Sequence, residues 1–218
     1  MGLKTAQNII DDAEEALQDQ TNDIWREEQH LKAFNDGQRA IVNLKPSANI
    51  VTKNALLVAG TKQALAAGDI FLFDIVRNMG TTGTTVGDAI HLVARQDMDE
   101  TLPGWHKVTA SATVAHWMYD PKIPKTFYVY PPQPASAFGY VEQEVAQLPA
   151  DIDINDTITL EDSYSDALVA YLLYRAWSKK NPQLAAGYFT LFEQLLGVKK
   201  QNEQQDDPNI GSVKGGMP

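Results

Sequence analysis

Residues 114–130 of the chain read VAHWMYDPKIPKTFYVY, and this stretch decides how the middle of the chain folds. Two runs rich in aromatic and β-branched residues, Val114–Tyr119 and Phe127–Tyr130, flank the dipeptide Asp120-Pro121. Runs of this composition favour pleated strands, and a breaker between two of them favours a turn. The stretch therefore predicts a β-hairpin.

The same pattern extends over residues 53–150. Short apolar runs alternate there with segments rich in glycine and proline, which favours an antiparallel sheet or a small barrel-like insertion. The further runs are Ala55–Val58, Phe71–Phe73, Ile90–Val93 and Tyr140–Val145. Residues 69–79 fit a strand and a helix equally well.

Helical periodicity precedes this region. Apolar residues recur at three- and four-residue spacing in two stripes, which predicts two amphipathic helices within residues 1–52. The stripes are Ala6, Ile9, Ile10, Ala13 and Leu17, then Leu31, Phe34, Ile41 and Val42. Thr5 is a suitable N-cap. Gly37 inside the second helix costs about 1 kcal/mol relative to alanine, and either a close approach or simple tolerance explains it.

Helices return over residues 151–198. Ser163 and Asp166 have the spacing of a capping box, and Asn181-Pro182 predicts the start of a last helix. The expected inward stripes are Leu168, Tyr171, Leu172 and Ala176, then Leu184, Tyr188, Leu191 and Leu195. Gly197 would end the last helix. Residues 199–218 are mostly polar and are expected to form a flexible tail.

These segments predict an α+β fold that is mainly α. We expect the N-terminal helices (1–52) and the C-terminal helices (151–198) to form one helical bundle. The β-rich antiparallel insertion (53–150) lies between them in the chain, and the flexible C-terminal tail (199–218) follows.

Composition narrows the function. The chain has no cysteine, which excludes disulfides, thiolate nucleophiles and cysteine-based zinc sites. Its net charge is −10, from 28 acidic and 18 basic residues, which disfavours gripping of a phosphate backbone. The charge fits solubility, or the wall of a channel that repels DNA. No apolar run is long enough for a membrane span.

The residue types that carry chemistry do not form a recognised motif. The histidines are scattered, and no H-E-x-x-H occurs; they are His30, His91, His106 and His116. The acidic residues 97–100 lack the spacing of a calcium loop and are interpreted as a solvated turn. The segment 80–87 lacks the lysine of a phosphate-binding loop and is interpreted as a flexible loop. We therefore predict no catalytic residues, no cofactor and no metal site.

Several segments, in order, resemble one protein family. Phe34–Val42 resembles the segment LNDGQREIV of head–tail connector or adaptor proteins of tailed phages, the gatekeeper or tail tubular protein A-like family. The other matching segments are Val58–Leu65, Arg77–Gly80, Pro103–Trp105, Tyr119–Pro132, Val141-Glu142, Tyr171–Lys179, and then Tyr188, Phe192 and Leu196-Gly197. The resemblance extends from Leu3 to Gly197.

The resemblance implies a structural virion protein without catalytic residues. Family members form a ring, expected to be a dodecamer, which docks under the portal, connects the capsid to the tail and continues the DNA channel. The implied partners are further copies of the chain, the portal protein, a tail or nozzle protein, and passing DNA without sequence-specific binding. Such a protein is made in the host cytoplasm and is located at the virion neck.

Alternatives remain open at this point. A tail-completion or stopper protein has a similar shape, and a small-molecule-binding or enzymatic site could lie in the β-rich part.

Two groups of residues are candidates for partner contacts. Aromatic residues crowd the insertion and are predicted to meet tail proteins: Trp105, Trp117, Tyr119, Phe127, Tyr128 and Tyr130. The tail offers cations and small apolar anchors for the portal or a neighbouring copy: Lys199, Lys200, Ile210, Val213 and Met217.

Overall fold

A computed structural model of the protein describes residues 3–206, and it describes side chains for residues 3–197. This part of the chain forms two compact units. Residues 3–48 and 149–206 form the helical unit, and residues 49–148 form the β-rich unit. With five α-helices and two sheets over the described range, the predicted α+β class is confirmed.

The elements follow one another along residues 3–206. The helices are α1 (Ala6–Leu17), α2 (Glu27–Leu44), α3 (Arg95–Thr101), α4 (Ser165–Trp177) and α5 (Pro182–Asp206). The strands are β1 (Ile50–Leu56), β2 (Gly60–Ala64), β3 (Asp69–Asn78), β4 (His91–Leu92), β5 (His116–Tyr119), β6 (Thr126–Gln133) and β7 (Tyr140–Gln147).

In the helical unit, α4 packs against α1, α2 and α5. Helix α1 begins as predicted, because Thr5 and Asn8 form a reciprocal capping box. Gly37 of α2 lies against α4, where an added Cβ would be 3.0 Å from Cδ1 of Tyr171. The glycine therefore serves a close approach, and the approaching group is an aromatic side chain.

The capping box predicted at Ser163 and Asp166 is wrong. A short 3-10 helix, Asp162–Tyr164, leads directly into α4, whose N-cap Tyr164 provides no side-chain cap. The 3-10 turn is stabilised instead by Ser165, whose hydroxyl donates to the carbonyl of Asp162 at 2.5 Å.

Helix α5 begins as predicted and ends later than predicted. Asn181 caps it by accepting a hydrogen bond from the backbone N–H of Leu184 at 3.2 Å. Gly197 does not end the helix, which continues to Asp206 through residues that favour helix, mainly glutamine, lysine and glutamate. Lys199 and Lys200 are therefore helical, and the predicted tail starts too early. Ile210, Val213 and Met217 lie outside the described residues.

The β-rich unit contains a three-stranded sheet, β1-β7-β3, and a four-stranded sheet, β2-β6-β5-β4. All pairs are antiparallel except β4–β5, so the expectation of purely antiparallel pairing is corrected at that edge. The predicted hairpin is confirmed as β5–β6, with Trp117 opposite Val129. Residues 69–78 form a strand, β3.

The core of this unit is shared by both sheets. Leu72 and Val145 of the first sheet belong to the same buried cluster as Trp117 and Val129 of the second. Burial of these apolar side chains is the main stabilising contribution of such a two-sheet core.

Two loop predictions are corrected. Residues 97–100 belong to α3, which is anchored by the buried side chain of Met98. The segment 80–87 is held against its own unit, since the side chain of Asn54 donates to the carbonyl of Gly83 at 2.8 Å and the N–H of Gly87 donates to the carbonyl of Asn78 at 2.8 Å.

Candidate interaction surfaces

Burial divides the six aromatic candidates into two groups. Trp105, Trp117 and Phe127 are 0%, 1% and 2% exposed, so these side chains pack inside the β-rich unit. Tyr119, Tyr128 and Tyr130 are half-buried and present part of each ring at the surface. Direct contact with a partner is therefore open only to the three tyrosines.

Trp105 illustrates the internal role. Its ring stacks on His106 with 3.6 Å between ring centroids, and its Nε1 donates to a carboxylate oxygen of Asp99 at 2.9 Å. It belongs to a small cluster with Met98 and Met118. A buried indole usually needs such a partner for its N–H, which explains the position of Asp99 on α3.

Two of the tyrosines meet in a groove of about 340 Å³ on the β-rich unit. Tyr119 and Tyr128 line it together with Met118, the aliphatic side chain of Ile123 and the cation of Arg95. Ile123 is 55% exposed. We call this the tyrosine groove. Tyr130 lies outside it and stacks on His116, with an interplanar angle of 15°.

The hydroxyl of Tyr119 is used inside the unit. It accepts a hydrogen bond from the backbone N–H of Leu72 at 3.3 Å and donates to the carbonyl of Pro124 at 3.1 Å. Burial raises the pKa of this hydroxyl above its ordinary value, although the Leu72 N–H opposes the effect. Tyr119 therefore joins the two sheets and leaves one ring face for the groove.

A second surface lies on α5. Leu184 and Leu191 are 39% and 43% exposed, whereas Ala185, Phe192 and Leu196 face the interior. The predicted inward stripe is thus wrong at Leu184 and Leu191. At Tyr188 the prediction is confirmed, because this side chain packs against the cluster of Leu17, Trp25 and Leu173. Helix α5 carries apolar residues on two sides, and the predicted stripe contains residues of both. We call Leu184 and Leu191, with half-buried Leu195, the outer stripe of α5.

Buried charge in the β-rich unit has a structural role. Asp69 is fully buried, and one carboxylate oxygen accepts from the ammonium of Lys53 at 2.6 Å and from the amide of Gln147 at 3.2 Å. These contacts join β1, β3 and β7. Within the described residues, no group of three or more His, Asp or Glu side chains is placed to hold a metal ion.

An aromatic groove and an exposed apolar helix face are features of a protein that assembles with others. The sequence matches the SU10 adaptor protein family over residues 4–213, and the chain belongs to that family. This match confirms the resemblance to phage head–tail adaptor proteins. The family implies a structural component of the virion that contacts other phage structural proteins.

A search of curated proteins finds no match to the chain. Over the described residues, none of the helices combines the length and apolar character needed to cross a membrane.

Proposed function

We propose that this protein forms a ring, a dodecamer, that docks under the portal, connects the capsid to the tail and continues the DNA channel. Membership of the SU10 adaptor protein family supports an adaptor role. The observation that carries the assembly part of the proposal is the outer stripe of α5.

The exposed leucines of the outer stripe are expected to be buried by another protein chain. Helix α5 already buries Phe192 against its own unit, and Leu184 and Leu191 remain exposed on another side. A helix with apolar residues on more than one side is normally covered on each of those sides. Contact with the portal or a neighbouring copy would remove these leucines from water. The segment 199–218 begins with the last turns of α5 and is proposed to extend the same contact through Lys199, Lys200, Ile210, Val213 and Met217.

The tyrosine groove suits a second partner, the tail or nozzle protein. Tyr119 and Tyr128 offer large rigid faces beside the exposed Ile123, and tyrosines are enriched among the residues that dominate interface energies. Tyr119, Tyr128 and Tyr130 are therefore the aromatic residues of the insertion that are proposed to contact the tail or nozzle protein. Trp105, Trp117 and Phe127 support it indirectly by holding the strands in place.

The charge of the chain suits a channel. Each copy contributes a net −10, so a ring of copies would present an acidic environment to DNA. Repulsion between like charges disfavours lasting contact and allows the duplex to pass without sequence-specific binding. The residues of this adaptor would act through assembly and not through catalysis.

The test is electron microscopy of purified portal mixed with the full chain. We expect an added ring of density beneath the portal. The double variant L184D/L191D should keep its circular dichroism spectrum and add little or no ring, because two carboxylates would be placed in the contact. L44D is the matched control, since Leu44 is an exposed leucine at the end of α2 and outside the outer stripe.

Two results would argue against the proposal. Portal particles that never acquire extra density at saturating wild-type protein would reject the adaptor ring. Normal docking by L184D/L191D would remove the outer stripe from the interface.

A further inference from the structure

A cavity of about 400 Å³ lies in the helical unit, between the start of α2 and the end of α4. Four of the residues that line it are cationic, and two are aromatic or imidazole side chains. They are Trp25, His30, Lys32, Arg175, Lys179 and Lys180. A concentration of positive charge is unusual in a chain with ten more acidic than basic residues.

Internal contacts account for part of this charge. Lys180 places its ammonium 4.3 Å from the centroid of the Trp25 ring, and Arg175 lies 3.7 Å from a carboxylate oxygen of Asp36. Cations near the end of α4 also interact favourably with the helix dipole. Lys32 and Lys179 are exposed and make no ion pair with any residue the structure describes. Among the side chains that the structure describes, the cavity therefore retains positive charge without a partner.

His30 lines the same cavity and carries an unpaired polar atom. Its side chain is only 3% exposed, and its Nε2 has no hydrogen-bond partner in the described structure. Buried polar atoms of folded proteins are nearly always paired, so this atom is an exception within the wall of the cavity. Burial lowers the pKa of His30, although Asp19 opposes this, and the neutral ring can donate one N–H. Because Nε2 is closed to solvent, an oxygen acceptor reaches it only when the side chains that line the cavity shift.

We propose that the cavity receives a carboxylate of a second copy of this chain, from the outer face of α1. Asp11, Asp12 and Glu15 form an exposed acidic stripe on that helix. Asp12 has an ion pair with Lys4 at 3.8 Å, and Glu15 has none among the described residues. A ring closes through two different surfaces on each copy, and the cationic cavity and the acidic stripe are complementary in charge. This inference rests on the proposed ring.

Cysteine cross-linking tests the contact directly, because the chain has no native cysteine. Ser178 lies at the cavity and Ala16 lies beside the acidic stripe, and both are exposed. S178C and A16C chains would be mixed, assembled on portal and oxidised. We expect a mixed dimer in at least about tenfold excess over the pairing of A16C with K122C, a control cysteine on the exposed surface of the β-rich unit. Rings that form without this excess would overturn the inference and leave the proposed function intact.

Charge reversal gives a second readout. K32E/K179E and D12K/E15K should each lower ring occupancy about tenfold at fixed concentration, and the quadruple variant should recover it. D12K/E15K could instead form rings almost normally while the quadruple variant fails to recover ring occupancy. That result would assign the cavity to an acidic segment of the portal and overturn the second-copy proposal. Inorganic phosphate that binds the wild-type chain but not K32E/K179E in calorimetry, without affecting rings, would assign the cavity to a small anion, with the same consequence. Absence of rings with wild-type chain would reject the proposed function as well.

Discussion

The carboxylate of Asp19 accepts a hydrogen bond from the backbone N–H of Trp25 at 2.9 Å, six residues further along the chain. The same carboxylate accepts from the N–H groups of Asp23 and Ile24 at 3.1 and 3.0 Å. It therefore organises the whole connection between α1 and α2. Trp25 in turn donates from its indole Nε1 to the carbonyl of Ala176 at 3.1 Å, which places its ring beside the cationic cavity.

We predict that this contact makes stability depend on acid pH. Desolvation would raise the pKa of Asp19, but the three backbone donors and nearby His30 hold this pKa below its ordinary value. A carboxyl with a lowered folded-state pKa stabilises the fold at pH values above its unfolded pKa, and this contribution is lost as the pH falls through the folded pKa. D19N should therefore be less stable than wild type at pH 6, and the difference should shrink as the pH falls through the folded pKa of Asp19.

Urea unfolding of both proteins between pH 2.5 and pH 6 measures this difference. D11N is the control, because Asp11 is exposed and accepts only from the side chain of Gln7 in the described structure. A gap between D19N and wild type that stays constant over the whole range would contradict the prediction.

We predict opposite effects for alanine at two helical glycines. G187A should stabilise the protein by about 1 kcal/mol, because a Cβ at that position of α5 meets open space. G37A gains the same helix propensity but forces Cβ within 3.0 Å of the Tyr171 ring. That ring is held by Phe192, with 5.3 Å between the ring centroids. We therefore expect a net loss of about 1 kcal/mol for G37A. Thermal unfolding of both variants measures these changes in stability. A stabilised G37A would contradict the prediction and show that the Tyr171 ring can move.

We predict that the Lys53–Asp69 pair stabilises the β-rich unit. K53M would leave the buried carboxylate of Asp69 without its ammonium partner and should cost about 3 kcal/mol. K122M removes an exposed lysine that makes no ion pair in the described part of the chain, and it should be neutral. Denaturant midpoints of the two variants measure the contrast. Equal midpoints would contradict the prediction. They would mean that the hydrogen bond from Gln147 and a relaxation of the strands stabilise the carboxylate of Asp69 without Lys53.

We predict different costs for removing two tyrosine hydroxyls. Y119F should lose about 1 kcal/mol, because the N–H of Leu72 and the carbonyl of Pro124 each lose a partner. Y128F should be neutral, since the Tyr128 hydroxyl makes no hydrogen bond to the described residues. Both variants should still bind a tail partner, because both keep their rings. Loss of stability in Y128F alone would reverse the roles assigned to the two side chains.

Features that depend on neighbouring residues in the chain could be predicted from the sequence. The β5–β6 hairpin follows from two β-forming runs on either side of Asp120-Pro121. The start of α1 follows from Thr5, and the start of α5 follows from Asn181 and Pro182. The adaptor family was recognisable for a related reason, since its segments keep their order along the chain.

Helix α3 was missed because its seven residues are too short for a periodic signal. Only Met98 is buried in it, so no apolar stripe distinguishes it from a solvated turn.

The sequence did not predict which side chains are exposed on the interaction surfaces. Successive side chains of β6 point to opposite faces, which separates Phe127 and Val129 from Tyr128 and Tyr130. This alternation does not show which of the two faces the other sheet covers. Helix α5 carries two apolar stripes, and a period of 3.6 residues fits both. The α+β class, the hairpin and the family could be inferred from the amino-acid order, because they depend on local propensity and on the order of segments. The burial of particular aromatic rings and the exposure of particular leucines on α5 became visible in the folded chain, because burial depends on residues far apart in the chain.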